Sequence, residues 1–404
     1  MTYPTAWPTR RARFLFDRRD VRGADAPLAS ATKEGVILRS DLDYSVWNPD
    51  SNVSNYKLVE PDDFVIGLRS FQHGISHSSV RGIVSPAYTV LRQTGSLNPQ
   101  FVKHYFRSSQ LISRLANITQ GIRQGQAIDI EAFRNLIMPV PPQEEQHRIA
   151  NYLDAETARI DALAKSYERV KDLAAERAQT MIDTEIEREP ADTPLRHIVR
   201  FREGPGIMAV DFQQDGVPLI RISGLQEGGV TLQGCNFLSP DKVVRQWHHF
   251  RLRLGDRLIS GSATMGSVSI VRDLEVVGSI PYTGLIILRP ARSGVEMGYV
   301  EAFLKSSRFS RQIDVLKTGA TMQHFGPSHL SQVNASLPSV EIQRRVIATV
   351  GDALQFSEQV ARLTNGQVAL LAERRQALIT AAVTGQFDVS TASGRNVTDG
   401  VPTP

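Results

Sequence analysis

Residues 140–149 read VPPQEEQHRI, and residues 337–346 read LPSVEIQRRV, 197 positions later. The same spacing recurs downstream, where LAAERAQTMI (173–182) returns as LLAERRQALI (370–379). Upstream it holds to within one residue: FVKHYFRSS (101–109) returns as YVEAFLKSS (299–307), and ITQG (118–121) as LKTG (316–319). RGIVSPAYTVLR (81–92) loosely parallels VGSIPYTGLIILR (277–289). A repeat of this kind means that one structural unit was built twice, here over nearly all of the 404 residues. Each copy is a mixed segment followed by a helical one.

The helical segments follow from elementary signals. Residues 143–189 contain no glycine and no proline, although glycine is 29 of 404 overall, so the residues that break helices are missing where a long helix needs them missing. Pro141 and Pro142 suit a helix entrance, and Glu144 and Glu145 favour the positive end of its dipole. Ile149, Leu153, Glu156, Ile160, Leu163, Tyr167, Val170, Ala174, Arg177 and Met181 then recur at alternating spacings of four and three, the period of a coiled coil. One helix over 143–188 would span about 69 Å at ~1.5 Å per residue. The second copy places Val346, Val350, Ala353, Ser357, Val360, Thr364, Gln367, Leu371, Arg374 and Leu378 at the same spacings. That seam is more polar and is interrupted at Gly366; Ser339 can cap its start and Gly385 can end it. Each stripe needs an apolar partner, and the other copy is the nearest. The two helices are therefore expected to pair antiparallel, the alternative being that each lies on its own globular domain.

The mixed segments read as β-rich with some helix. Phe64-Val65-Ile66, Gly82-Ile83-Val84, Ser269-Ile270-Val271 and Leu285–Leu288 are strand-like runs. Helical stretches are expected near 99–117 and 297–316, and a flexible loop over Gly261–Ser267. The fold class expected is α+β: two β-rich mixed domains separated by two long helices that pair as an antiparallel coiled coil, in a pseudo-twofold internal repeat. The expected division is 1–140, a central helix over 141–190, 191–338, a distal helix over 339–389 and a disordered tail over 390–404.

Composition narrows the function classes. Hydrophobic residues are 41% and charged residues 22%, ordinary for a globular protein. The single cysteine, Cys235, excludes an internal disulfide and any multi-cysteine zinc site, and fits a reducing cytoplasm. The basic N-terminus has no apolar run behind it, so no secretory signal is expected, and no stretch approaches the ~20 apolar residues of a membrane span. The net charge of +4 hides an alternation: 1–140 and 191–338 are net positive, 141–190 is net negative and 339–404 is neutral. Two basic segments suit a polyanion, although charge of this size also fits an ordinary solvated surface.

On these residues the chain resembles the specificity subunit of a type I restriction–modification system. The resemblance rests on the twofold arrangement, on Pro-Pro-x-x-Glu-Gln-x-x-Ile at Pro141–Ile149, and on Ala-Leu-Ile-x-x-Ala-Val-Thr-Gly at 377–385. Gly-Ile-Val-Ser-Pro-Ala-Tyr at 82–88 and Gly-Asp-Arg-Leu-Ile-Ser at 255–260 add to it. The second copy departs from the motif, with Ser339 for the second proline and Ile342 between Glu341 and Gln343; the cluster Arg10, Arg11, Arg13, Arg18, Arg19 is a further departure.

The resemblance implies a noncatalytic, cytoplasmic subunit. Its mixed domains would be target-recognition domains, each reading half of a bipartite site in double-stranded DNA. The helices would be a ruler and a dock for two adenine methyltransferase subunits and, where one exists, a restriction subunit. S-adenosylmethionine is then expected in the methyltransferase partner and ATP in the restriction partner, with no cofactor in this chain. Two basic domains on a rigid spacer can contact duplex segments about one turn, ~34 Å, apart. Because the mixed segments differ in sequence, an asymmetric site is expected. The alternative is a coiled-coil scaffold that reads no DNA, which leaves the duplicated basic segments unexplained.

No catalytic motif competes. Asn48-Pro49-Asp50 and Asn98-Pro99-Gln100 do not match an adenine methyltransferase motif, and there is no phosphate-binding GxxxxGK[ST] loop. Pro61-Asp62-Asp63 reads as a turn before a strand rather than the opening of a nuclease motif, and His248-His249 lacks further ligands at zinc spacing. Base readout needs forked donors and amides on exposed loops. The candidates are Arg69, Ser70, Gln72, His73 and His77 in the first copy, and Arg221, Lys242, Arg245, His248, Ser262, Thr264 and Met265 in the second. Candidates for the spacer or for partner docking are Pro141, Glu144, Gln146, Ile149, Leu153, Ile160, Leu163, Val346, Val350, Leu371 and Leu378.

Overall fold

The structure, a computed structural model, describes residues 7–44, 46, 53–95, 97–120, 127–226, 228–262, 266–316 and 324–391. The chain divides into two units, one of residues 1–168 with 365–404 and one of residues 169–364.

The first unit is built on strands β1 (Phe16–Arg19), β2 (Phe64–Ile66), β3 (Ser76–His77) and β4 (Thr89–Gln93), in the order β1-β4-β2-β3, all antiparallel. Side chains alternate between the faces of a strand. Phe16, Phe64, Ile66 and Leu91 accordingly enter one core, and Val65 and Val90 enter another with Val59 and Val84. Both faces are covered, which is why Phe64-Val65-Ile66 is a continuous apolar run rather than an alternating one.

Helices α1 (Pro99–Tyr105) and α2 (Ser109–Asn117) close the larger core. Asn98 caps α1 by accepting from the amides of Gln100 and Phe101, and Ser108 caps α2 by accepting from Leu111. Helix α3 (Gln143–Glu187) begins in this unit.

The second unit repeats the plan. Strands β5 (Val199–Glu203), β6 (Arg257–Ser260), β7 (Val268–Ile270) and β8 (Leu285–Pro290) lie in the order β5-β8-β6-β7, again all antiparallel. Ile259, Ile286 and Leu288 face one core, Leu258, Leu285 and Ile287 the other. Helices α4 (Met297–Leu304) and α5 (Ser307–Leu316) match α1 and α2. Ser306 repeats the part of Ser108, donating to Phe303 O at 2.6 Å as Ser108 donates to Tyr105 O at 2.7 Å.

Helix α6 (Val340–Val383) is the second long helix. In the first unit Tyr152 on α3 packs against Phe387, and Asp161 further along accepts from Arg375 Nε at 3.1 Å. In the second unit Arg177 lies over Phe356 and Ile182 and Ile186 share a core with Val350 and Val346. As numbers rise along α3 they fall along α6, so the helices pair antiparallel. Two details depart from the sequence pattern. Helix α6 runs unbroken through Gly366, its packing outweighing a glycine cost of ~1 kcal/mol. Past Ile160 the buried positions of α3 are Ala174, Ala178, Ile182, Glu185 and Ile186, not Arg177 and Met181, because a straight helix drifts ~20° per heptad against a strict 3.5 repeat. Gly385, at φ +72°, ends the helix. Of the expected tail, Ser390 and Thr391 belong to a short 3-10 turn, Val389–Thr391, and the rest lies outside the described residues.

Candidate nucleic-acid interface

In the first unit the chain leaves β2 at Gly67 and makes one helical turn, Ser70–His73. Ser70 is buried and its Oγ accepts from the Gly67 amide at 2.9 Å, which fixes the turn. Phe71 packs against the larger core. Gly74, at φ +84°, ends the turn where an added Cβ would sit 2.2 Å from Phe106 O. Arg69, Gln72 and His73 are left exposed. Arg69 and His73 line a cleft of about 530 Å³ with Lys33, Tyr44 and Tyr88. A second cleft of about 760 Å³ shares Lys33 and His73 and adds Gln72, Lys103, Arg107 and Arg375. Burial and the nearby Arg375 lower the pKa of Arg107, and Glu34 opposes them.

His77 differs from its neighbours in the candidate set. Its Nε2 is 2.9 Å from Asp62 Oδ1 and its ring packs on Phe64 at 5.2 Å. Burial lowers its pKa despite Asp62. It is a packed residue of β3 rather than a free reader, because a strand neighbour of Phe64 faces the core. Ser70, spent on the turn, is likewise a positioning residue.

In the second unit Arg221 stacks on Tyr282 at 4.3 Å and donates to Asn236 Oδ1 at 3.1 Å. Lys242 is bonded to Asp211 and lies over the Trp247 ring. Both cations are held by partners within the unit. Arg245 and His248 are exposed on a helical stretch that widens to a π turn over Val243–Trp247, a form frequent at functional sites. The Ser262 carbonyl accepts from Ser260 Oγ at 2.5 Å. Thr264 and Met265 lie outside the described residues. His248 lines a cleft of about 930 Å³ with Arg200, Arg202, Arg251 and Arg253. None of these arginines stood out in the sequence, although the alternation in Val199-Arg200-Phe201-Arg202 was the available signal.

No family model matches the chain. Among curated proteins it is 21% identical over 387 residues to the type I restriction enzyme EcoKI specificity subunit of Escherichia coli strain K12, covering 89% of this chain and 81% of that one. It is 20% identical over 284 residues to the MjaVIII specificity subunit of Methanocaldococcus jannaschii, covering 65% and 64%. The chain's curated homologues are specificity subunits of type I restriction enzymes. Solved structures agree on the fold. A chain from work on complex assembly and conformational transition of the type I R-M system superposes with a TM-score of 0.71 at 19% identity, covering 96% of this chain and all of that one. The HsdS subunit from Thermoanaerobacter tengcongensis gives 0.54 at 21% identity, covering 96% and 99%.

Most of the motif through which the chain resembles these specificity subunits is turned inward. Gln146 is 1% exposed; its Oε1 accepts from the Asn98 amide at 2.7 Å and its Nε2 donates to Pro141 O at 2.7 Å. Gln343 repeats the bridge between the Glu296 amide, at 2.8 Å, and Pro338 O, at 2.9 Å. Pro141, Ile149, Leu153 and Ile160 are buried in the first unit, as are Val346 and Val350 in the second. Leu371 is buried and Leu378 half-buried. These side chains pack the molecule's own helices. Glu144 is exposed and Leu163 is 44% exposed.

Proposed function

We propose that this chain is the noncatalytic specificity subunit of a type I restriction–modification complex. Residues 1–140 and 191–338 act as target-recognition domains, each reading one half of a bipartite, asymmetric site in duplex DNA. Residues 141–190 and 339–389 act as the spacer and as the dock for two adenine methyltransferase subunits, joined by a restriction subunit where one is present. The observation that carries this proposal is that one sheet framework is built twice with different exposed side chains. The turn after β2 exposes Arg69, Gln72 and His73, whereas β6 is followed by buried Gly261 and half-buried Ser262, and the edge strand carries Asp17 in one unit where it carries exposed Arg200 in the other. A repeated scaffold with unlike contact residues suits unlike half-sites. The wider homology to specificity subunits supports it.

Base flipping and methyl transfer belong to the partners in this account. What this chain supplies is position: donors toward base edges, cations toward phosphates and a fixed separation. Phe356 and Leu363, seven residues apart on α6 and 48% and 63% exposed, offer an apolar strip to a protein partner. The test is modular replacement. Exchanging residues 191–338 for the matching segment of another specificity subunit, and mapping methylation by the reconstituted complex, should change one half-site and leave the other. Altered recognition of both halves would contradict the proposal.

A further inference from the structure

Strand β5 places Arg200 and Arg202 on one face, two residues and so about 6.8 Å apart along the strand at ~3.4 Å per residue. Both are exposed, whereas Val199 is buried. Arg200 stands directly across from Arg289 on β8. Like charges in that relation destabilise a sheet. Arg289 is held by Asp256 through Nε at 2.8 Å and Nη2 at 2.6 Å. That carboxylate is therefore already taken. Arg200, Arg202, Arg251 and Arg253 line the same cleft of about 930 Å³. Among the described residues none of the four has a carboxylate partner. Arg202 and Arg251 donate to the carbonyls of His249 and Gly278, at 2.5 and 3.1 Å, and Arg200 reaches Ala291 O at 3.4 Å.

The first unit builds the same framework with opposite charges. Across from Arg92 on β4, the counterpart of Arg289, stands Asp17. Arg92 is held by Asp63 as Arg289 is by Asp256. The residue three before each aspartate donates its amide to that carboxylate, Glu60 at 2.8 Å and Arg253 at 2.7 Å. Glu60 takes Arg19 at 2.8 Å and Arg92 at 3.2 Å, so this face of the first unit neutralises itself. The fold thus forms without Arg200 and Arg253, and their charge is surplus to it.

From this exchange we infer that the arginine cleft of the second unit is a phosphate-backbone site for duplex DNA, with no counterpart at the equivalent place in the first unit. The inference rests on the DNA-binding account above and adds an asymmetry to it: the two domains share base readout, but this backbone grip belongs to the second alone. Guanidinium forks match phosphate oxygens two at a time. A stepped row of them fits an extended polyanion better than a single small anion.

The test uses the full chain and a fluorescent duplex of random sequence, with affinity measured against salt. Affinity falls with salt, and each lost phosphate contact lowers the steepness of log affinity on log salt by about 0.9. Arg200→Asp with Arg253→Glu, which installs the charges of the first unit, should lower it by about 1.8. Arg200→Lys with Arg253→Lys should keep it. Arg200→Asp should also raise the thermal midpoint, because it turns a like-charge pair into an opposite one, an effect no purely structural role predicts. Should the double variant fail to fold, Arg253→Glu alone, at an exposed position, should still show about half the change. A folded variant with the wild-type slope overturns this inference and spares the recognition account. A chain that binds no duplex at any salt overturns both.

Discussion

Arg92 Nε donates to Asp63 at 2.8 Å, and in the second unit Arg289 Nε donates to Asp256 at the same 2.8 Å. Both aspartates are buried, Asp63 completely, and both also accept the amide three residues earlier. The pair locks the turn that feeds the central strand to the strand beside it. Removing the carboxylate leaves an amide without its acceptor and each guanidinium with only its remaining partner, Glu60 for Arg92 and Arg251 O for Arg289, a loss worth about 2–3 kcal/mol. Asp63→Ala and Asp256→Ala should each lower unfolding free energy by about that amount in urea titrations. A loss under about 0.5 kcal/mol would mean that the turn holds without them.

The Gln146 and Gln343 bridges make a matched pair of predictions. Gln146→Leu keeps the volume but strands the Asn98 amide and the Pro141 carbonyl, and Gln343→Leu does the same to the Glu296 amide and the Pro338 carbonyl. Each should cost about 1–3 kcal/mol. If these glutamines served partner docking instead, stability would be unchanged and only assembly would suffer.

Gly74 should tolerate no side chain. Its φ of +84° disfavours any L residue, and a Cβ would overlap Phe106 O at 2.2 Å. Gly74→Ala should destabilise by about 2 kcal/mol or more. It should also weaken specific DNA binding, because the turn that presents Arg69, Gln72 and His73 ends there. Normal stability with normal binding would remove that turn from the interface.

The pH dependence of stability follows from His104, whose Nε2 is 2.9 Å from Asp154 Oδ1. Burial lowers the His104 pKa below its ordinary 6.5 and outweighs the nearby carboxylate. Below pH 6.5 the unfolded chain binds a proton that the native histidine still refuses, so stability falls as pH drops. His77 acts in the same direction. Asp154 is held down to about 2 by the hydrogen bond from His104, with Lys103 adding to it. Its contribution is present above 3.8 and is lost as pH falls toward 2. Thermal midpoints should decline from pH 6.5 to 5, and His104→Asn should flatten that decline. A midpoint that rises on acidification would refute the assignment.

The framework was legible from sequence because it is written in apolar runs and repeated phrases. Phe64-Val65-Ile66 and Leu285–Leu288 read as strand-like runs and are strands, and the Ser-Ser of 108–109 and 306–307 marks the same helix start twice. The candidate interface was less legible, because a surface is assembled from residues far apart. Arg200 and Arg289 meet only through strand pairing. Gln146 resembled a surface motif residue but bridges two backbone groups, which no local pattern reveals. His77 looked like part of a polar loop but sits on a strand against Phe64. The heptad stripe gave the pairing of α3 with α6 but not its drift past Ile160, where the true helical period takes over.

On the proposed function, this chain chooses a bipartite, asymmetric DNA site for an adenine methyltransferase. A base-resolution map of methylated adenines in host DNA, with and without the gene, tests it most directly. The account predicts that one two-part motif with unlike halves loses all methylation on deletion and regains it on complementation. An unchanged methylation map, while the gene and its methyltransferase partner are both expressed and active, would contradict it.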